Sequence, residues 1–473
     1  MNGRIPILEE IIKYNKEDNL ILSMPGNKCG KGFSKDYIGR EFLEKMGYLD
    51  ITEVEPLDNL HHPQGIIKES IELLRKYYDA YKAYFLVNGS TEGNLISIFS
   101  AFEEGDHVLI ERNCHKSIYN ALILKKLKVS YIKGRIDKEK DIFLPPTKKD
   151  IEEAIDKNKD VKGIILTYPN YFGVCYDIKD LILELKNKKI KTIIDSAHGA
   201  HFNCSESLPK SLTSVADYVI LSAHKTIPSL TQGAYLIVNE KNSKVDFYFN
   251  ALTSTSPSYL LLASLDYGRY YMEVYGEKDY EELIHRCEKW KSKIEKLRGI
   301  HIYGEEDLKD GYLIDKTRYT IFLKKEYSGE LLLEYLRKEK IQCEMSFSRG
   351  VVLLFSTFHK DEEFEKVYKA LEKLNLEDIK QKVSSKSRFI QEIPNKKYEP
   401  FEMLDKEYIE VEINEKLVSK ITKEHIVPYP PGIPLLCPGE EVTEEIIEII
   451  LAYLDEKRDI IGIENRKIKI IGN

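Results

Sequence analysis

Tyr218-Val219-Ile220-Leu221-Ser222-Ala223-His224-Lys225-Thr226 is the stretch that decides the fold. Its apolar run does not alternate, as expected for a strand covered on both faces. A lysine directly after such a strand, flanked by Ser222 and His224, is poorly explained as a solvated charge. A partly desolvated lysine has a depressed pKa and becomes a nucleophile toward carbonyl groups. Six further β-like runs surround it: Tyr84–Val87, His107–Ile110, Val129–Ile132, Gly163–Thr167, Thr192–Asp195 and Ala234–Val238. Amphipathic segments lie between them, one with Ile67, Ile71, Leu74 and Tyr78 at helical spacing. Strands alternating with helices predict an α/β domain with a mainly parallel, seven-stranded sheet.

Lysines after strands are common, so the neighbours must decide what Lys225 does. Upstream stands Asn88-Gly89-Ser90-Thr91-Glu92-Gly93-Asn94, after a strand and before an apolar helix. Free N–H groups and the positive end of the helix dipole make such a turn an anion site, and Ser90 and Thr91 add hydroxyl donors. Taken alone, the stretch reads equally well as a Ser/Thr-capped turn. It contains no GxxxxGK[ST], so nucleoside triphosphate chemistry is not indicated. Asp195 ends the run Thr192–Asp195, where α/β sheets place their ligands. It could pair with a protonated pyridine nitrogen, or merely cap a helix. His198 and His201 are three apart, but no third ligand accompanies them and no metal is expected. The order of anion turn, acid and lysine is much more specific than any one member.

At this point the chain resembles the bacterial Orn/Lys/Arg decarboxylases, pyridoxal 5'-phosphate (PLP) enzymes of fold type I. It is most similar to their short forms, which lack an N-terminal wing. The likeness rests on MPGNKCGKGF (24–33), DITEVEPLDNLHHPQG (50–65), FLVNGSTEGN (85–94), RNCHKS (112–117), DSAHGAHF (195–202), SAHKTIPSLTQGAYL (222–236), TSTSPSY (253–259) and VPYPPGIPLLCPGE (427–440).

The resemblance implies an aspartate-aminotransferase-like large domain and a smaller C-terminal α/β domain. It further implies that Lys225 holds PLP as a Schiff base, that Asp195 pairs with the pyridine nitrogen, and that His115 stacks on the ring. By residue type alone His115 also suits a cap on the following helix. Ser90, Thr91, Ser222 and His224 are expected at the phosphate and His198 beside the cofactor. Ser254 and Ser256 are expected at the partner subunit's cofactor, so at least a homodimer is implied. His224 or Lys225 would return a proton to the α-carbon. Asp50, Glu53, Asp58 and Glu440 are candidates for the substrate's distal cation. The implied reaction is decarboxylation of a cationic amino acid, with arginine favoured over lysine and ornithine.

Three positions depart from the family's usual pattern: Asn27 where His is common, Ser196 where Glu is common, and Gly233 where Ser is frequent. An aminotransferase or lyase of the same fold remains open, because Arg318, Arg349 or Arg388 could hold an α-carboxylate. A non-catalytic PLP-binding paralogue regulating polyamine metabolism is a further alternative.

Length and composition set the frame. A chain of 473 residues exceeds what one core usually organises. The expected division is an N-terminal arm (1–40), a large domain (41–290) and a small domain (291–473), with a distinct C-terminal segment from about 390. Glu277–Lys296 reads as a long helical connector. Arg318–Leu323, Gly329–Lys338, Val351–Phe355 and Asp361–Leu374 then read as strand, helix, strand, helix, and a last helix starts near Thr443. The polar stretch Asp378–Pro400 is expected to cross the surface. A net charge of −7 argues against nucleic-acid and membrane partners. Seven scattered cysteines without a CxxC, and no signal peptide, suit a cytoplasmic protein.

Overall fold

The computed structural model describes residues 5–309, 311–380, 390, 392–428, 433–455 and 458–472. All seven runs form strands of one sheet: β1 (Lys82–Leu86), β2 (His107–Glu111), β3 (Lys128–Ile132), β4 (Gly163–Thr167), β5 (Lys191–Asp195), β6 (Tyr218–Leu221) and β7 (Ala234–Val238). Their spatial order is β1-β7-β6-β5-β4-β2-β3. Only β7 runs against its neighbours; the other pairs are parallel. Every residue of β6 and β7 is buried, which accounts for their unbroken apolar sequence.

Register positions the site. Asp195 lies opposite Thr167 on β4 and Ile220 on β6. The C-terminal ends of β2, β4, β5 and β6 therefore finish side by side, bringing Glu111, Thr167, Asp195 and Ser222 to one rim of the sheet. Helix α1 (Gly89–Ala101) starts just after β1 and packs back across β1, β7 and β6. Gly93 permits that approach, because a Cβ there would stand 2.7 Å from the Leu86 side chain and 2.9 Å from that of Ile220. Helix α2 (Lys116–Lys125) follows β2 and packs on α1.

The connector is α3 (Glu277–Ile294), joined through a π turn to the helix Tyr259–Tyr271. A second, antiparallel sheet follows, built from β8 (Ile300–Ile302), β9 (Arg318–Leu323), β10 (Met345–Phe347) and β11 (Gly350–Leu354) in the order β8-β9-β11-β10. Helix α4 (Gly329–Lys338) covers β10 and β11, and α5 (Asp361–Lys373) packs on α3. The boundaries read from sequence agree with these elements to within two residues.

Among the described residues the apolar core falls into three clusters, the smallest of which packs Phe172 and Val174 against Phe322, Phe347 and Val352 of the second sheet. The largest runs from Leu20 through the large sheet to Leu374 and Ile379, so the second sheet shares it. Another gathers Ile426, Leu436, Ile446, Ile450 and Ile468 around α6 (Glu444–Asp455). The N-terminal arm is not a free tail: Leu20–Leu22 pairs in parallel with Ile341–Cys343. Of the polar stretch 378–400, residues 381–389 and 391 lie outside the described residues. Beyond them Glu399 accepts the Val129 N–H at 3.1 Å and so covers part of the β3 edge.

Candidate active site

A cavity of about 340 Å³ opens at the sheet's C-terminal rim, and Ser90, His115, Asp195, His198 and Lys225 all line it. Sequence positions spread over more than a hundred residues converge because each follows a strand of the same sheet.

Lys225 sits in a single helical turn, Ala223–Thr226, directly after β6. Its Nζ lies 3.2 Å from His198 Nε2. On the far side of that imidazole, Arg318 Nη2 is 3.0 Å from Nδ1. A guanidinium can only donate, so Nδ1 accepts and the neutral ring's proton resides on Nε2. Nε2–H then points at Lys225 Nζ, which must accept it as a free amine. Burial lowers the pKa of Lys225, the charge of Arg318 lowers it further, and Asp195 and Glu344 oppose the shift. Burial, with Lys225 and Arg318 adding to it, also drives His198 well below its ordinary value. The hydrogen-bond geometry calls for a free amine at Lys225, and its burial acts in the same direction.

Asp195 is buried and held from two sides, by Asn94 Nδ2 at 3.2 Å and by the Ala197 N–H at 3.1 Å. Asn94 Nδ2 also donates to Ser117 Oγ at 2.9 Å, and that hydroxyl lies 2.9 Å from His115 Nδ1. His115 Nδ1 further accepts the Ser117 N–H at 3.2 Å, capping α2. His115 thus does both things its residue type allows, capping the helix and facing the cavity. Burial lowers its pKa, partly offset by Asp195. Asn94 and Ser117 were not singled out from sequence, although both stand inside quoted motifs. Asn94 lies one helical turn beyond Ser90, which was the available signal.

Other expected residues fall nearby or elsewhere. Ser222 Oγ is buried without a hydrogen-bond partner, and His224 Nδ1 lies 2.8 Å from the Gly233 carbonyl. Burial holds His224 at about 4, hence neutral. Thr91 is exposed and does not line the cavity. Ser254 and Ser256 are exposed, beside His61, whose Nε2 lies 2.8 Å from the Ser254 carbonyl.

The acidic candidates for substrate recognition do not line this cavity. Glu440 is fully buried, 2.9 Å from Arg112 Nη2, and accepts the Cys437 N–H at 2.7 Å. Asp58 accepts the N–H groups of Asn59, Gln64, Gly65 and Ile67, which makes it the organiser of its own loop. Within one chain neither carboxylate reaches the cavity: Asp58 faces its own loop and Glu440 faces Arg112. Asp50 and Glu53 are solvent-exposed. Among the described residues, the carboxylates that do line the cavity are Glu111, Asp195 and Glu344.

The three departures have local explanations. Asn27 joins Ser229 O at 2.9 Å to the Gly30 N–H at 3.1 Å, fixing the segment that crosses Lys225's turn. Gly26 makes that crossing possible, as a Cβ would meet Ile227 O at 2.7 Å. Ser196 is buried outside the cavity lining. At Gly233 a Cβ would come within 2.6 Å of Ser229 Oγ, so a serine there needs a shifted neighbour.

Comparison with known proteins places this architecture. The chain matches the Orn/Lys/Arg decarboxylase major domain over residues 5–312 and the C-terminal domain of the same family over residues 377–463. An uncharacterized Bacillus subtilis protein, YaaO, is 32% identical, with 98% of this chain and 97% of that protein aligned. A Bacillus subtilis arginine decarboxylase is 29% identical with the same coverage. The inducible lysine decarboxylase of Escherichia coli is 23% identical over 93% of this chain and 75% of its own. In three dimensions the constitutive lysine decarboxylase of Escherichia coli superposes with a TM-score of 0.76 at 19% identity, covering 99% of this chain and 82% of that one. The fold is thus that of fold type I PLP enzymes, and the protein with its rim of Asp195, His198 and Lys225 belongs to the Orn/Lys/Arg decarboxylase family, whose members bind PLP.

Proposed function

We propose that this protein is a PLP-dependent decarboxylase of a cationic amino acid, arginine first, with lysine and ornithine as the other substrates to test. The observation that carries the reading is the Arg318–His198–Lys225 chain, which supplies a neutral amine to a cavity whose floor is Asp195.

The residues fit the cofactor. A buried carboxylate held by Asn94 and Ala197 suits a protonated ring nitrogen, and the unpartnered buried hydroxyl of Ser222 suits a phosphate oxygen. Ser90, Thr91 and His224 would complete the phosphate site with the N-terminus of α1. PLP would supply an electron sink for the electrons left behind by the departing carboxylate. Lys225 Nζ would hold the cofactor. Asp195 would keep the cofactor's ring nitrogen protonated, an electrostatic contribution of the kind that favours developing charge. His115, fixed through Nδ1, would border the cofactor, and His198 holds Lys225 in position. Of the two groups expected to return a proton, Lys225 Nζ would be the donor; His224 is neutral and commits its Nδ1–H to the Gly233 carbonyl, so its Nε2 carries no proton to give.

An aminotransferase would need a cation for the α-carboxylate. Among the described residues no arginine lines the cavity. Arg318 is bound to His198 and to the Tyr171 carbonyl at 2.6 Å, Arg349 donates to the carbonyls of Glu139 and Leu323, and Arg388 lies outside the described residues. This favours decarboxylation.

The division at residues 40 and 290, the cytoplasmic location and the homodimer belong to the same proposal. For the dimer, the helix Pro6–Asn15 buries none of its residues and exposes Ile7 at 77% and Ile11 at 60%. Ser254 and Ser256 would then reach the partner's cofactor. No helix among the described residues is long and apolar enough to cross a membrane.

The test is incubation with PLP and each of arginine, lysine and ornithine, with carbon dioxide and the amine product both identified. Release from at least one is expected. Visible cofactor absorbance without release from any of the three overturns the decarboxylase reading. No absorbance at all overturns the cofactor as well.

A further inference from the structure

Two cavity carboxylates, Glu111 and Glu344, have no cofactor role above, and Glu344 is the one placed to meet the substrate's tail. Glu344 stands between β10 and the strand Ile341–Cys343, and reaches the cavity from the second sheet. One of its oxygens, Oε2, accepts the Met24 N–H at 2.9 Å, and Oε1 accepts the Tyr171 hydroxyl. A carboxylate can take about four hydrogen bonds, so both oxygens keep acceptor capacity after these contacts. Both existing partners are donors, as an ionised carboxylate requires.

Its surroundings have the form of a slot for an aliphatic cation. Met24, Phe143, Phe172 and Ile433 give apolar walls suited to methylene groups. Tyr171 carries the hydroxyl that touches Glu344, and its ring lies edge-on to His198, 5.1 Å between centroids. Glu344 is thus one tyrosine removed from the histidine that contacts Lys225. A substrate attached near Lys225 Nζ and running along Tyr171 arrives with its tail at this carboxylate.

The two other cavity carboxylates are less suited. Asp195 is committed to Asn94 and Ala197 on the sheet rim. Glu111 accepts the Thr167 N–H at 3.0 Å on the same rim, with burial pushing it up to about 7.

We infer that Glu344 is a specificity-determining residue that receives the side-chain cation of the substrate, within one subunit, through a charge-assisted hydrogen bond. The inference rests on the cationic-substrate reading above and gives that reading a definite anchor. The nearest competing explanation is a latch: Glu344 ties the N-terminal segment to the second sheet and nothing more.

Binding of amines that cannot be decarboxylated separates the two. Agmatine, cadaverine and putrescine, with pentylamine as the tail-neutral control, would be titrated by calorimetry into PLP-loaded wild type, Glu344→Gln and Tyr171→Phe. Glu344→Gln is expected to weaken the best-bound diamine by roughly ten- to hundredfold while leaving pentylamine unchanged. Tyr171→Phe keeps the charge and should hold diamine affinity within a few-fold. Equal loss of diamine and pentylamine in Glu344→Gln, or an equally large diamine loss in Tyr171→Phe, makes Glu344 a latch and overturns the inference. Unchanged diamine binding in Glu344→Gln overturns it while sparing the decarboxylase reading. A wild type that binds pentylamine but no diamine more tightly overturns both.

Discussion

Two basic side chains are withdrawn from solvent, Arg112 fully and Lys225 in part, and the fold treats them in opposite ways. Arg112 is paired: Glu440 lies 2.9 Å away, the Pro434 and Leu435 carbonyls accept at 2.9 and 3.2 Å, and Tyr119 and Tyr131 present their ring faces. Lys225 has no carboxylate within ion-pair distance among the described residues and rests against a neutral imidazole. Burying a charge without a counter-ion is costly, and the lysine can escape that cost by losing its proton, which an arginine cannot. Pairing makes Arg112 a clamp between the large domain and the C-terminal core, and the lack of pairing makes Lys225 reactive.

The largest expected effect comes from breaking the reactive member. Lys225→Ala should abolish both carbon dioxide release and the visible absorbance of bound PLP, while the denaturation midpoint of the cofactor-free protein holds or rises, since a poorly solvated amine is removed. A fall in the midpoint would mean that Lys225 is structural after all. Arg112→Ala reverses the pattern: leaving Glu440 buried and unpaired should cost about 3–5 kcal/mol by urea denaturation. A loss under about 1 kcal/mol would remove the contrast.

Glu111 sharpens it next. Its folded pKa of about 7 lies above the ordinary 4.5, because burial dominates. The native carboxyl therefore binds its proton more tightly than the unfolded one. Its favourable contribution is complete below about 4.5 and is lost as pH rises through about 7. Glu111→Gln should stabilise the cofactor-free protein at pH 8 by on the order of 3 kcal/mol and flatten the pH dependence between those limits. The smallest effect concerns Arg318. Arg318→Met removes a positive charge that lowers the pKa of Lys225 and frees Nδ1 of His198. The pH at which PLP attaches at half-maximal rate should move up by about one unit, followed as absorbance growth across pH 6–10. An unshifted profile would show that Arg318 does not tune Lys225.

What was legible in the sequence follows strand ends. Asp195 and Lys225 each close or follow an unbroken apolar run, so their place on the rim could be read without a structure. Half of the small sheet was legible, as Arg318–Leu323 and Gly350–Leu354 show, whereas the three-residue strands Ile300–Ile302 and Met345–Phe347 were too short to read. Glu344 and the contact of Arg318 with His198 were not legible, because they join residues more than a hundred positions apart through side chains whose directions no local pattern encodes. Glu440 misled in the opposite sense. Its segment does reach the cavity, at Ile433, but its own carboxylate turns inward to Arg112, which stands three residues before His115 on the same loop. A motif located the neighbourhood, and only packing told which side chains face the ligand.

The cavity wall runs from Met24 near the start of the chain to Ile433 near its end. A ribosome-bound chain can complete the large sheet once residue 238 has emerged, yet the chamber stays unroofed until the last segments arrive. Closure of the chamber during synthesis therefore waits for the segment that carries Ile433, long after the large sheet can form.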